Sequence, residues 1–132
     1  MAERPAIVVY LMARDAAQVL DFYVKGLGAE EVGRWVDPAN GKIGHAEFRI
    51  NGESLFLADG YQSMEAIGVR NPAALGGTSV IFWIEVPDLE PAMKRALEAG
   101  ATLKEGVMPS TEGGRRCRIA DPAGHVWTLF QP

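Results

Sequence analysis

The sequence predicts an α+β fold: two tandem βαβββ modules that build a curved eight-stranded mixed sheet, with helices on one face and a cleft on the other. Three observations predict it. Residues Asp121-Pro122-Ala123-Gly124 carry a turn signature that opens into a last strand, His125 to Phe130. A strand from Ser54 to Ala58 holds the matching place in the first half of the chain. The helix caps Asp15 and Asp88, like the strand residues Phe56 and Thr128, recur at nearly the same offset, so order and spacing repeat although identities do not. One module cannot cover its own sheet, whereas two side by side can. At 132 residues the chain reads as a single domain, 1–132, with module one at about 5–60, a connection at about 61–76 and module two at about 77–132.

Each element has its own signal. Ile7-Val8-Val9-Tyr10-Leu11-Met12 is short, apolar and β-branched, as a buried strand is. Asp15 caps a helix to about Lys25, with Val19, Leu20 and Tyr23 on one face and Gly26 and Gly28 ending it. Glu31 to Val36 is the next strand, closed by Asp37-Pro38 and Asn40-Gly41. Ile43 to Ile50 and Glu53 to Ala58 pair through Asn51-Gly52, whose residues favour the positive φ of a two-residue hairpin. Gly60 to Gly77 has no period and holds Asn71-Pro72 and Gly76-Gly77, so it reads as the connection between halves. Ser79 to Val86 restarts the pattern as a strand. Asp88 caps a second helix, with Pro91 in its first turn, where a missing N–H costs nothing, and Gly100 at its end. Thr102 to Val107, Arg115 to Ala120 and His125 to Phe130 complete the second module.

Composition narrows the function classes. A net charge of -4 without a basic block argues against nucleic acid and against anionic membranes as partners. The longest apolar runs, Ala6 to Ala13 and Val80 to Ile84, are too short to span a bilayer. The charged start, Met1 to Pro5, does not read as a secretory signal. Cys117 is the only cysteine, which suits a reducing compartment, and a cytoplasmic location is expected.

The order of these motifs resembles the vicinal oxygen chelate superfamily, which includes glyoxalase I, bleomycin-resistance proteins and extradiol dioxygenases. Within it, Arg14-Asp15-Ala16-Ala17, Asp21-Phe22-Tyr23, Gly28-Ala29-Glu30, Gly44-His45-Ala46-Glu47 and Asp121 to Leu129 resemble the PhnB-like branch of small bacterial proteins. In metal-dependent members of the superfamily, His and Glu from the first and last strands of both modules hold a divalent ion. The resemblance places Val8, Phe56, Ile81 and Thr128 at those positions here. Three hydrocarbons and a hydroxyl are not a divalent-cation site, so no metal in the usual place and no cofactor is expected. The resemblance also implies a homodimer, with modules that pack within one chain or are exchanged between two.

A period of two assigns residues to the cleft strand by strand. The first strand supplies Val8, Tyr10 and Met12, the third His45, Glu47 and Arg49, and the fourth Phe56. The fifth supplies Ile81, Trp83 and Glu85, the seventh Arg116 and Arg118, and the eighth Thr128 and Phe130. Tyr10, Phe56, Trp83 and Phe130 offer flat surfaces for stacking or cation–π contact. The arginines can fork onto a carboxylate or phosphate, or be neutralised by Glu47 and Glu85 in ordinary surface ion pairs. Three readings stay open. One is a small-molecule binding protein. Another is a lyase, isomerase or dioxygenase-like enzyme that is metal-free or holds a relocated metal near His45 and Glu47, with either as general base and an arginine stabilising an enolate or carboxylate. The last is a degenerate relative with an interaction role only. His125 reads as a hydrogen-bonded residue that finishes the turn, Trp127 as core, and Trp35 as either core or cleft. Cys117 falls on the opposite face from Arg116 and Arg118 and reads as buried and structural. Gly76-Gly77 and Gly113-Gly114 lack the strand-to-helix context of a phosphate loop and read as rim loops.

Overall fold

The computed structural model describes residues 7–111 and 113–132; the charged start of the chain lies outside them. Eight strands and four helices follow one another as β1 (Tyr10–Ala13), α1 (Ala16–Leu27), β2 (Glu30–Val36), β3 (Ile43–Ile50), β4 (Glu53–Asp59), α2 (Gln62–Ala66), α3 (Pro72–Leu75), β5 (Ile81–Glu85), α4 (Leu89–Ala99), β6 (Thr102–Pro109), β7 (Arg115–Ala120) and β8 (Val126–Gln131). The strands are hydrogen-bonded as two four-stranded mixed sheets of the same order, β1-β4-β3-β2 and β5-β8-β7-β6. In each, the first strand runs parallel to the last and the other pairs are antiparallel. That is the βαβββ unit twice.

Local chemistry explains most boundaries. Asp15 accepts the Gln18 N–H at 3.2 Å to start α1, and Gly28, at φ 71°, ends it. Asn51 and Gly52 both have positive φ, which a hairpin of matching twist requires between β3 and β4. Asp88 holds the N-cap position of α4, yet its side chain accepts no cap bond. The Leu89 N–H instead donates to Gln131 Oε1 at 2.8 Å, so the end of β8 caps the helix. The connection between modules, which shows no period in the sequence, holds α2 and α3. Asn71 Oδ1 accepts the Ala74 N–H at 3.1 Å, Pro72 occupies the first turn and Gly76 closes α3 in the left-handed region. Asn71-Pro72 and Gly76 are therefore helix caps as well as turn residues.

The core lies between the sheets and their helices, and both modules share it. Ala46, Phe48 and Leu57 from the first sheet, Val19, Leu20 and Tyr23 from α1, Leu89 and Ala96 from α4, and Ile119, Trp127 and Leu129 from the second sheet are all buried in one cluster. Helix α1 packs on α4. Gly26 allows that approach, since a Cβ there would stand 2.8 Å from Phe22 Cε1 and 3.0 Å from Ala99 Cβ. Tyr23 bridges the modules. Its ring stacks on Phe48 at 4.6 Å and meets Trp127 edge-on at 5.4 Å, while Trp127 stacks on Phe82 at 4.5 Å. Burying each such side chain contributes roughly 1.5–3 kcal/mol.

A buried carboxylate organises this junction. Asp121 accepts from Tyr23 Oη at 2.6 Å, Trp127 Nε1 at 2.9 Å, and the N–H groups of Ala123 at 2.9 Å and His125 at 3.0 Å. Its negative charge is thus solvated by the protein itself. His125 Nε2 donates to the Met12 carbonyl at 2.9 Å, a second tie between modules, which fixes the Nε2–H tautomer because a carbonyl only accepts. Trp127 is buried in the shared core as the sequence reading placed it, and His125 is buried at the turn that precedes β8. Cys117 is buried, and burial first, then the Glu90 charge, pushes its thiol pKa up, away from reactivity.

Candidate functional site

Alternation in β3 is clear. Ala46, Phe48 and Ile50 are buried beneath the helices, and His45, Glu47 and Arg49 are half-buried on the opposite, outer face. There Tyr10, His45 and Phe56 form an aromatic triad, with ring centroids 5.4 Å apart for Tyr10–His45, 5.8 Å for Tyr10–Phe56 and 4.7 Å for His45–Phe56. The register explains it, because Tyr10 pairs with Phe56 and Phe56 with Glu47. The Tyr10 hydroxyl donates to the Gly44 carbonyl at 3.3 Å and lies 3.1 Å from His45 Nδ1. When the hydroxyl proton goes to Gly44, the Tyr10 oxygen accepts from Nδ1–H and His45 Nε2 carries the lone pair; when it goes to Nδ1, Nε2 carries the ring proton. Burial first, then the neighbouring Tyr61 hydroxyl, pushes the Tyr10 pKa up to about 12, so Tyr10 stays a neutral donor. Arg49 and Glu47 do not pair directly. Arg49 Nε donates to Ser54 Oγ at 3.4 Å and Ser54 donates to Glu47 Oε2 at 3.2 Å.

The outer face of the second sheet carries the remaining expected residues. Ile81 and Glu85 are exposed, and Trp83, about half exposed at 49%, leans on Phe130 with centroids 5.2 Å apart. Arg116 and Arg118 are half-buried and both engage one carboxylate. Glu105 Oε1 accepts from Arg116 Nη1 at 3.0 Å and from Arg118 Nη1 at 2.6 Å. The bond from Arg118, then that from Arg116, holds the Glu105 pKa below the usual carboxylate range. The arginines are therefore neutralised by Glu105, in place of the Glu47 and Glu85 considered from sequence. Glu105 escaped that reading because β6 carries register shifts on both sides of it, between Leu103 and Glu105 and between Glu105 and Met108, where counting by twos fails.

Three of the expected contact residues offer a ligand little surface. Met12 is 3% exposed, Thr128 is fully buried with its hydroxyl accepting Arg118 Nε at 3.0 Å, and Phe130 is 8% exposed beneath Trp83. Among the described residues, no hydrogen bond or ring contact joins the Tyr10–His45–Phe56 triad to the Trp83–Phe130 pair.

The metal positions implied by the family resemblance do not fit a divalent ion. Val8, Phe56 and Ile81 have no donor side-chain atom, and the Thr128 hydroxyl is engaged by Arg118. Among the described residues no group of three His, Cys, Asp or Glu is placed to hold one elsewhere. No helix among the described residues is long and apolar enough to cross a membrane.

Sequence reasoning also missed a cavity of about 590 Å³ at one end of the first sheet, lined by Trp35, Asp37, Lys42, Gly44, Asp59 and Tyr61 among others. Its residues come from a β-bulge, a hairpin turn and the segment after β4, none of which shows a period. Trp35, left open between core and cleft, is 58% exposed on its rim.

The comparisons agree with this architecture of repeated modules and two sheets. The chain belongs to the Glyoxalase/Bleomycin resistance protein/Dioxygenase superfamily, whose model matches residues 6–129. An uncharacterised protein of Mycobacterium bovis is 41% identical over 128 residues, covering 97% of this chain and 84% of the relative. A glyoxalase-related enzyme from Fulvimarina pelagi superposes with a TM-score of 0.76 at 25% identity, covering 98% of this chain and 89% of that one. TnmS3, an antibiotic binding protein from Streptomyces sp. CB03234, superposes with a TM-score of 0.69 at 22% identity, covering 100% and 98%.

Proposed function

We propose that this chain is a small-molecule binding protein of the PhnB-like branch, cytoplasmic and homodimeric, that takes its ligand between outer sheet faces without the superfamily's usual metal. The observation that carries the reading is the filling of the four metal positions by Val8, Phe56, Ile81 and Thr128 beside outer faces rich in aromatic and charged groups. Aromatic walls with a few placed polar groups suit a small molecule. The antibiotic-binding description of TnmS3 supports the same use of this fold. The net charge of -4 and absence of a basic block speak against nucleic acid and anionic membrane as partners. A second copy suits this reading, in which each outer face is a half-site, since one face alone encloses little of a ligand. Native mass spectrometry of the purified protein, with metal analysis on the same sample, tests this. A metal-free dimer carrying a co-purified small molecule is the expected result. A stoichiometric transition metal that disappears in His45→Ala overturns it.

One observation favours a second reading. His45 Nδ1 is held by Tyr10 while Nε2 has no partner among the described residues, and in the Nδ1–H tautomer that is the arrangement of a general base. In that reading the chain is a metal-free lyase or isomerase, and Glu47, tied to Ser54, orients polar groups of the substrate. A co-purified molecule that is converted by the wild type and only bound by His45→Ala selects the enzyme.

A further inference from the structure

The cavity at the end of the first sheet has its own chemistry. Its floor is the β2–β3 hairpin and its opposite wall is the start of α2. At about 590 Å³ it has the size of a pocket for a molecule of two or three fused rings. Trp35 is opposite His45 in the β2–β3 register, and its ring lies directly over Gly44. A Cβ on Gly44 would stand 2.5 Å from Cε3 and Cζ3 of that ring, so the missing side chain is what lets the indole lie there. Tyr61, on the opposite wall, adds a second aromatic surface.

The polar lining sets the charge preference. Two carboxylates, Asp37 and Asp59, face one ammonium, Lys42. Asp59 is buried and spends both oxygens on backbone, accepting from Ala16 N–H at 2.9 Å and Ile43 N–H at 2.8 Å. Asp37 accepts the Ala39 N–H at 2.9 Å on Oδ1 only, and its other oxygen has no partner among the described residues. The lining is net negative, with one free carboxylate oxygen and an exposed indole face, both of which attract a cation.

We infer that this cavity binds a planar aromatic molecule bearing a positive charge, its ring laid on Trp35 and its charged group toward Asp37, an inference that rests on the small-molecule reading above. Gly44, which lines this cavity, also accepts the Tyr10 hydroxyl, so the cavity adjoins the residue that carries the triad.

Titration of the full chain with proflavine, a planar acridine cation, and with 2-naphthoate, a planar anion, tests it by fluorescence and calorimetry. Proflavine binds and 2-naphthoate binds at least about tenfold more weakly. Trp35→Ala weakens proflavine binding by about tenfold or more, as loss of a stacking and cation–π surface should. Gly44→Ala keeps the indole but displaces it and produces a comparable loss, which separates loss of the surface from loss of fold. Asp37→Asn weakens proflavine and not 2-naphthoate. Failure of proflavine to bind folded wild type, or tighter binding of 2-naphthoate, overturns the inference. So does proflavine binding that survives Trp35→Ala and Gly44→Ala; if it is then lost in Trp83→Ala, small-molecule binding stands and only its assignment to this cavity fails.

Discussion

Asp121 shows how one residue can hold two modules together. Its carboxylate is buried, and four donors from three parts of the chain converge on it. Asp121→Ala leaves the Tyr23 hydroxyl, the Trp127 indole N–H and two backbone N–H groups without their acceptor, and should cost about 3–5 kcal/mol in denaturant unfolding. Tyr23→Phe removes one donor and should cost about 1–2 kcal/mol. The same pair predicts a pH dependence. Burial first, then the Asp121 charge, raises the Tyr23 pKa well above its ordinary 10.0. The unfolded chain therefore releases this proton first, so the stability is fully present below pH 10.0 and falls as pH rises toward the folded value. Tyr23→Phe should flatten that alkaline decline in pH-dependent unfolding; an unchanged slope would assign it to other groups. No local signal hints at this pairing, because Tyr23 and Asp121 lie in different modules and only the fold brings them within 2.6 Å.

Elements were legible where their signals were local and strong. The β3–β4 hairpin was readable because Asn51-Gly52 fixes the turn and the turn fixes register, and every outer-face assignment in β3 follows from that. Helices α2 and α3, of five and four residues, are too short to show a period of 3.6; α2 left no local signal, and α3 only its capping residues Asn71, Pro72 and Gly76, which read as turn residues. In β6 the register shifts broke the alternation that would have revealed Glu105. The start of α4 shows a further limit. Asp88 has the residue type of a cap, but Gln131 does the capping from the far end of the module. Gln131→Ala should therefore destabilise the protein by about 1 kcal/mol, and Asp88→Ala by appreciably less, in parallel denaturant titrations. The reverse order would mean that Asp88 caps the helix in solution.

At the scale of the whole molecule, alternation tells which face a residue occupies but not what stands opposite that face. A ligand of drug size needs most of its surface enclosed. Here no hydrogen bond or ring contact links the Tyr10–His45–Phe56 triad to the Trp83–Phe130 pair among the described residues, and Trp83 is left half exposed. The edge strands point the same way. All of β2 is exposed, including Val32, Trp35 and Val36, and β6 exposes Leu103 and Val107. Exposed apolar strands at sheet edges are usually covered or charged. On the small-molecule reading proposed above, a second copy of this chain laid across those edges would cover them and give each outer face an opposing wall, so that each face is a half-site. On that argument the wild type sediments as a dimer at micromolar concentration, and Val32→Lys with Val107→Lys shifts it to monomer while its far-ultraviolet circular dichroism is unchanged. The same double variant should bind ligand at least about tenfold more weakly, because each half-site loses its opposite wall. A wild type that sediments as a monomer and still binds at full strength would place the whole site within one chain.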